Sequence, residues 1–315
     1  MIVLVLLIIC VLAFLMLNIL YRRTNAFKNT LSDVVKYKFW PSGTDKMDIV
    51  NIGSNHPKYA FDWSVTSLKG ENCAVGPQAF EYDYAVLRYV TPALANGSIV
   101  VIPICLLNFY LYRFDARSNY YKYYTFLDKK DIHDYSWAEK LLHIQCPLLS
   151  NPLLAVRIFR DVSKDVSLSQ TKNQLSSEIE LDADANKWYE GWEQQFKIKI
   201  SNPVPSKKNL EDIQQNIMIL KEILLYCKSN GYKPVISILP VTDYLSSKFT
   251  ERFIQEQIIC YIEEANVVGA PVLNYLNDER FSSSEYYINS FFFNKKGREL
   301  FTKQFVEDLR AQSIL

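Results

Sequence analysis

The chain carries almost no net charge: 35 lysines and arginines against 34 aspartates and glutamates leave +1. A nucleic-acid surface needs a basic excess on one face, so that class of partner is excluded. No Cys-x-x-Cys pair occurs among Cys10, Cys73, Cys105, Cys146, Cys227 and Cys260, which excludes a zinc ribbon and a dithiol redox motif. Cys10 lies in an apolar N-terminal run, so an odd number is left over. Most of the others also sit in apolar stretches and read as buried free thiols rather than a disulfide framework. No His, Asp and Glu cluster has the spacing of metal ligands. The sequence has no internal repeat, no low-complexity tract and no cofactor motif.

What is present is an ordinary globular balance, 49% hydrophobic and 22% charged residues, behind an apolar N-terminal segment. Residues 2–21 carry no charge, and only Asn18 is clearly polar. About 20 helical residues at ~1.5 Å each span ~30 Å, the thickness of a bilayer core. A signal peptide would be shorter and end in small residues. Leu17-Asn18-Ile19-Leu20-Tyr21 offers no such cleavage site, and Cys10 follows Ile9 rather than the small residue of a lipoprotein site. Residues 1–23 therefore read as a retained single-pass anchor and 24–46 as a juxtamembrane linker. Arg22, Arg23 and Lys28 follow the span, and positive-inside bias alone places the rest in the cytoplasm.

Residues 47–315 read as one α/β domain. Four short β-branched runs, 48–53, 98–104, 233–239 and 270–275, predict buried strands. Amphipathic helices follow: one with Leu210, Ile213, Ile217, Leu220 and Leu224 on a face and a stop near Ser229-Asn230-Gly231, one over 248–266, and one from Lys295 with Leu300, Phe301, Phe305 and Leu309. Alternating strands and helices predict a parallel sheet covered on both faces. Ligands bind such sheets at the carboxyl ends of the strands, so Ser54-Asn55-His56, the residues after Ile104, and Pro240-Val241-Thr242-Asp243 carry the interest. Residues 108–207 lack a clean period and predict an irregular insertion, with a mobile loop over 169–186. Aromatics reach 14%, and the run Tyr120-Tyr121-Lys122-Tyr123-Tyr124 reads first as amphipathic cover for a core and second as the lining of a carbohydrate groove.

Two blocks carry candidate chemistry. In the first, a strand breaks at Gly53 into Ser54-Asn55-His56. Glycine permits a tight turn, and backbone N–H groups at a helix start can stabilise an oxyanion, although Ser54 or Asn55 as a plain N-cap explains the pattern equally simply. In the second, Asn289, Phe291, Phe292, Phe293 and Asn294 precede Lys295-Lys296-Gly297 at the opening of the last helix.

In this order and spacing, the chain resembles the SGNH (GDSL-type) hydrolases, in particular the membrane-anchored branch associated with cell-surface polysaccharide and teichoic-acid modification. Glu81-Tyr82-Asp83-Tyr84, the stretch from Gly97 to Pro103, and Lys233 to Thr242 agree as well. The resemblance implies a three-layer α/β/α sandwich of flavodoxin-like arrangement, with an extracytoplasmic domain. It also implies a Ser-His-Asp triad, and here this sequence departs from the pattern. The nucleophile position holds Asn55, the Asp position Asn289 and the His position Phe292. An amide is no serine-type nucleophile, and a phenyl ring carries no transferable proton.

The expected function is thus a catalytically degenerate, membrane-anchored SGNH-like protein that binds a glycan, a lipid-linked polymer or a protein partner in envelope polysaccharide assembly, with Gly53, Gly76, Thr242 and Asp243 as pocket candidates. One alternative is an active esterase or O-acyltransferase rescued by Ser54 with His56. Another is a scaffold for an integral-membrane acyltransferase. Asp278 and Glu279 read as solvated loop charges, and His133 and His143 as surface or satisfied core residues.

Overall fold

The computed structural model describes residues 1–42, 46–114, 116–160 and 177–315. The chain divides into two compact units, Met1–Trp40 with Ala116–Leu168, and Pro41–Asp115 with Ser169–Leu315.

The first unit opens with helix α1 (Ile2–Arg23), which is long and apolar enough to cross a membrane, with mean hydropathy 3.3. Thr24 ends it and starts the next turn: its hydroxyl accepts from Phe27 N at 3.2 Å, capping a helix over Asn25–Thr30. The Tyr21 and Phe27 rings meet edge to face at 5.6 Å. The predicted insertion is shared between the units, and its residues 116–160 belong here as a series of short helical turns. Tyr120, Tyr123 and Tyr124 are buried in this unit, and Tyr121 stacks on His143 at 3.8 Å. Three of the four tyrosines of the run therefore pack a core.

The second unit is α/β. Its five strands are β1 (Met47–Asn51), β2 (Gly70–Asn72), β3 (Leu94–Ile104), β4 (Lys233–Ile238) and β5 (Val272–Asn274). All pair in parallel in the order β2-β1-β3-β4-β5. Successive residues point to opposite faces, and Ile49 and Val50, like Val100 and Val101, are fully buried, so both faces are covered. One face packs Ile49, Ile99, Val101, Val235 and Leu273 against Phe61, Trp63, Phe301, Phe305 and Leu309. The last three sit at i, i+4 and i+8 of the C-terminal helix, Lys295–Ala311, and so form one stripe. The helix Lys207–Ser229 buries Ile213, Ile217, Leu220 and Leu224 as predicted, while Leu210 stays 50% exposed.

Two features depart from expectation. The helical stretch predicted over 248–266 begins at Glu251 and is widened by a π-type turn over Gln255–Ile259. The loop predicted over 169–186 is a helix from Glu178 onward (Glu178–Phe196), opened by a reciprocal cap between Ser177 and Glu180; residues 169–176 lie outside the described residues.

Candidate functional site

Strand β1 leads through Ile52 to Gly53 at φ = +121°, then to Ser54 at the N-cap of a short helix, α2 (Asn55–Ala60). A side chain at φ = +121° is strained, so glycine is what lets the chain turn here. Ser54 occupies the cap position, yet its hydroxyl caps nothing. It accepts instead from Gln78 N at 2.9 Å. The expectation that the helix cap would claim this hydroxyl is corrected by that contact.

Behind the turn lies a buried polar knot. The Gln78 side-chain amide donates to Gly53 O at 3.2 Å and to the Asp83 carboxylate. Asp83 is 3% exposed, and burial pushes its carboxyl up to about 7 against the pull of hydrogen bonds from Gln78 and Gly53.

His56 is buried too. Its Nε2 lies 3.1 Å from Pro240 O, and a carbonyl only accepts, so Nε2 carries the proton and Nδ1 is a bare lone pair with no partner. Burial pushes the imidazole down to about 3, and the Phe291 ring covers it at 4.3 Å. Among the described residues no hydrogen bond joins Ser54 to His56. The pair presents a neutral imidazole, poorly suited to hold a proton taken from a hydroxyl.

The other positions singled out in the sequence have distinct fates. Asn55 stands over Gly76, where an added Cβ would fall 1.6 Å from its Oδ1, and its amide makes no hydrogen bond among the described residues. Asn289 is a turn former: Oδ1 accepts from Phe291 N at 3.0 Å and Phe292 N at 2.8 Å. Thr242 donates through its hydroxyl to Ser290 O at 2.8 Å and is fully buried, whereas Asp243 is exposed at the start of a short helix. Asp278 pairs with Arg280, which also reaches Asp308. His133 contacts Asp134, and His143 contacts Glu139.

Ser54, Asn55, His56 and Phe292 meet in one cleft of about 200 Å³ at the carboxyl ends of β1 and β3. Thr242 and Asp243 do not line it. Its aromatic wall comes from Trp188 and Trp192 of the helix Glu178–Phe196, 5.6 Å apart, with Phe291 at 5.0 Å from Trp188 and 5.4 Å from Trp192. Facing them are Ser54, Asn55, Gln78 and Asn108. Among the described residues no lysine, arginine, aspartate or glutamate lines the cleft. The tryptophans went unread in the sequence, although their i, i+4 spacing behind the Ser177/Glu180 cap was a signal for a helix with one aromatic face.

Asp184, on the same helix, fixes this wall to the Phe291 loop: its Oδ2 accepts from Ser290 N at 3.0 Å and Ser290 Oγ at 2.6 Å. Asp184→Ala leaves the buried Ser290 N–H unpaired and is expected to cost about 1.5–3 kcal/mol, read as a lower urea midpoint by tryptophan fluorescence. An unchanged midpoint would mean that this tie holds nothing.

No protein-family model matches the chain, and no curated protein matches it.

Proposed function

We propose that this is a membrane-anchored binding protein whose α/β unit is a catalytically degenerate relative of the SGNH hydrolases. Its cleft holds a neutral sugar residue of a cell-envelope polysaccharide. The reading carries with it a three-layer α/β/α sandwich, α1 as a single-pass anchor and an extracytoplasmic cleft. The strand order β2-β1-β3-β4-β5 supports it, because doubly wound sheets of that order bind ligands beyond the carboxyl ends of their strands.

One observation carries the choice of ligand: a tryptophan and phenylalanine wall faces hydroxyl and amide groups, and among the described residues no ionised side chain lines the cleft. A phosphate or carboxylate would be desolvated there without a counter-charge. A sugar offers apolar C–H faces to the rings and hydroxyls to Asn55 and Asn108. The volume of about 200 Å³ equals roughly seven waters at ~30 Å³ each, room for one sugar ring.

The test is a titration of the full chain in detergent with N-acetylglucosamine, glucose and galactose, followed by tryptophan fluorescence. At least one sugar is expected to bind, and Trp188→Ala to weaken it roughly tenfold, about 1.4 kcal/mol. Silence across the panel, or unchanged affinity in Trp188→Ala, would overturn the reading. Ser54 also lines the cleft, so acetyl-ester hydrolysis is measured alongside. Hydrolysis that disappears in Ser54→Ala would replace binding with acyl transfer.

A further inference from the structure

Residues 147–159 are apolar on two opposite sides, and only one of those sides is covered. They form turns over Pro147–Leu149 and Pro152–Ala155, then a short helix over Val156–Phe159. On the covered side, Leu148, Leu154, Ala155 and Ile158 pack with Phe14, Leu17 and Tyr21 of α1. Asn18, the polar residue of that helix, is 2% exposed; its Nδ2 donates to Phe14 O at 2.9 Å and its Oδ1 accepts from Leu148 N at 3.0 Å. The amide thus pins Leu148 at the level of residue 18, four residues before Arg22, a rise of ~6 Å.

On the open side stand Leu149, Leu153, Val156 and Phe159, with Leu153 79% and Phe159 82% exposed. Leu153, Val156 and Phe159 follow at three-residue spacing along the turns from Pro152 to Phe159, and Leu149 closes the turn before the extended Asn151. Large apolar side chains left exposed together mark a surface that a bilayer or another apolar face covers. Two of the polar groups nearest these side chains are satisfied locally: Ser150 Oγ donates to Pro147 O at 2.8 Å, and Asn151 Oδ1 accepts from Leu153 N at 3.1 Å. Lipid demands such internal satisfaction and water does not. Arg157 and Arg160 are exposed at the far end, where long cationic side chains can reach headgroups. Met16 and Ile19 of α1, next in sequence to the packed Leu17 and Asn18, are themselves exposed apolar residues of the span.

We propose that residues 147–159 are a membrane-seated strap, lying in the bilayer beside the C-terminal third of α1 with Leu149, Leu153, Val156 and Phe159 in lipid. The inference rests on α1 being the membrane anchor. The strap makes the attachment two-part, fixing the first unit against the membrane surface instead of leaving it on a tether.

The test uses the full chain, with Cys10, Cys105, Cys146 and Cys260 replaced by alanine, reconstituted in phosphatidylcholine–phosphatidylglycerol vesicles. A nitroxide is attached at Leu153→Cys or Phe159→Cys; both side chains are exposed, so labelling disturbs no packing. Leu12→Cys reports on α1, and Lys207→Cys on a water-exposed helix. Collision with oxygen and with a water-soluble nickel chelate is measured at each site. The strap labels are expected to show an oxygen-to-chelate ratio near that of Leu12→Cys and several-fold above that of Lys207→Cys. A water-like ratio at 153 and 159 with a lipid-like ratio at 12 sinks the strap and leaves the anchor standing. Water-like ratios at all sites sink both. Labels shielded from both reagents would mean that protein, a second copy or another chain, covers these side chains, and would also overturn the proposal.

Discussion

Asp83→Asn is expected to stabilise the α/β unit at pH 8 by about 3 kcal/mol and to make it lose stability on acidification below about pH 6.5. The native carboxyl titrates at about 7 instead of 3.8 because it is buried. A raised folded value means that its contribution is fully present below the unfolded value and is lost as pH rises through about 7. Three units at 1.36 kcal/mol each put the loss near ~4 kcal/mol, and the acceptor that an amide gives up returns about 1. His56 works in the opposite sense. Its folded value, about 3, lies below 6.5, so its contribution is present above 6.5 and is lost as pH falls toward 3. That loss amounts to ~5 kcal/mol.

Between about pH 4 and 6.5 the two therefore oppose each other. Unfolding releases no net proton from the pair, since His56 takes one up as Asp83 gives one away, and their joint contribution to wild-type stability is flat. Asp83→Asn leaves the histidine slope, with stability falling by about 1.4 kcal/mol per unit on acidification. His56→Gln leaves the carboxyl slope, falling by about the same amount as pH rises. Asp278 and Asp308, held low by Arg280, add losses only below this window. Urea unfolding of the full chain in detergent from pH 4 to 8 separates the three curves. Parallel curves would mean that neither group is buried as described.

The sheet was legible where burial is written as composition. Strands β1, β3 and β4 coincide largely with apolar, β-branched runs because a central parallel strand is covered on both faces, whereas β5, at the sheet edge, buries only Leu273 of its three residues. Strand β2 was not legible: Gly70-Glu71-Asn72 has no apolar side chain and is a strand only because β1 pairs with it, helped by Asn51 Nδ2 donating to Asn72 Oδ1 at 2.8 Å. The same limit applies to the site. Gly53, Ser54, Asn55, His56 and Phe292 could be picked from local pattern. What each does depends on partners far away in sequence, as Ser54 depends on Gln78 and His56 on Pro240. Asn289 illustrates the distinction. It holds the family's acidic position by resemblance, yet its carbonyl is spent within the loop on Phe291 N and Phe292 N. Trp188 and Trp192 were passed over because the stretch leading to them is polar, and only the folded helix turns them to the cleft.

Two glycines beside the cleft should respond differently to the same added methyl. At Gly53 the Cβ of Gly53→Ala would sit 2.4 Å from Pro57 Cγ on a backbone at φ = +121°. Backbone strain costs about 1–3 kcal/mol and overpacking about the same, so a loss of roughly 2–6 kcal/mol is expected. At Gly76 the φ is ordinary, and the obstacle is the free end of Asn55, whose amide can swing aside. Gly76→Ala should therefore unfold within about 1 kcal/mol of wild type, yet lose the sugar roughly tenfold, as Asn55→Ala does, because the amide leaves the cleft. Urea midpoints and fluorescence titrations on the two variants give four numbers. A Gly53→Ala protein as stable as wild type would contradict the turn. Normal sugar binding by Gly76→Ala would remove Asn55 from the ligand's contacts, and the cleft would then recognise its sugar through Asn108 and the tryptophan wall alone.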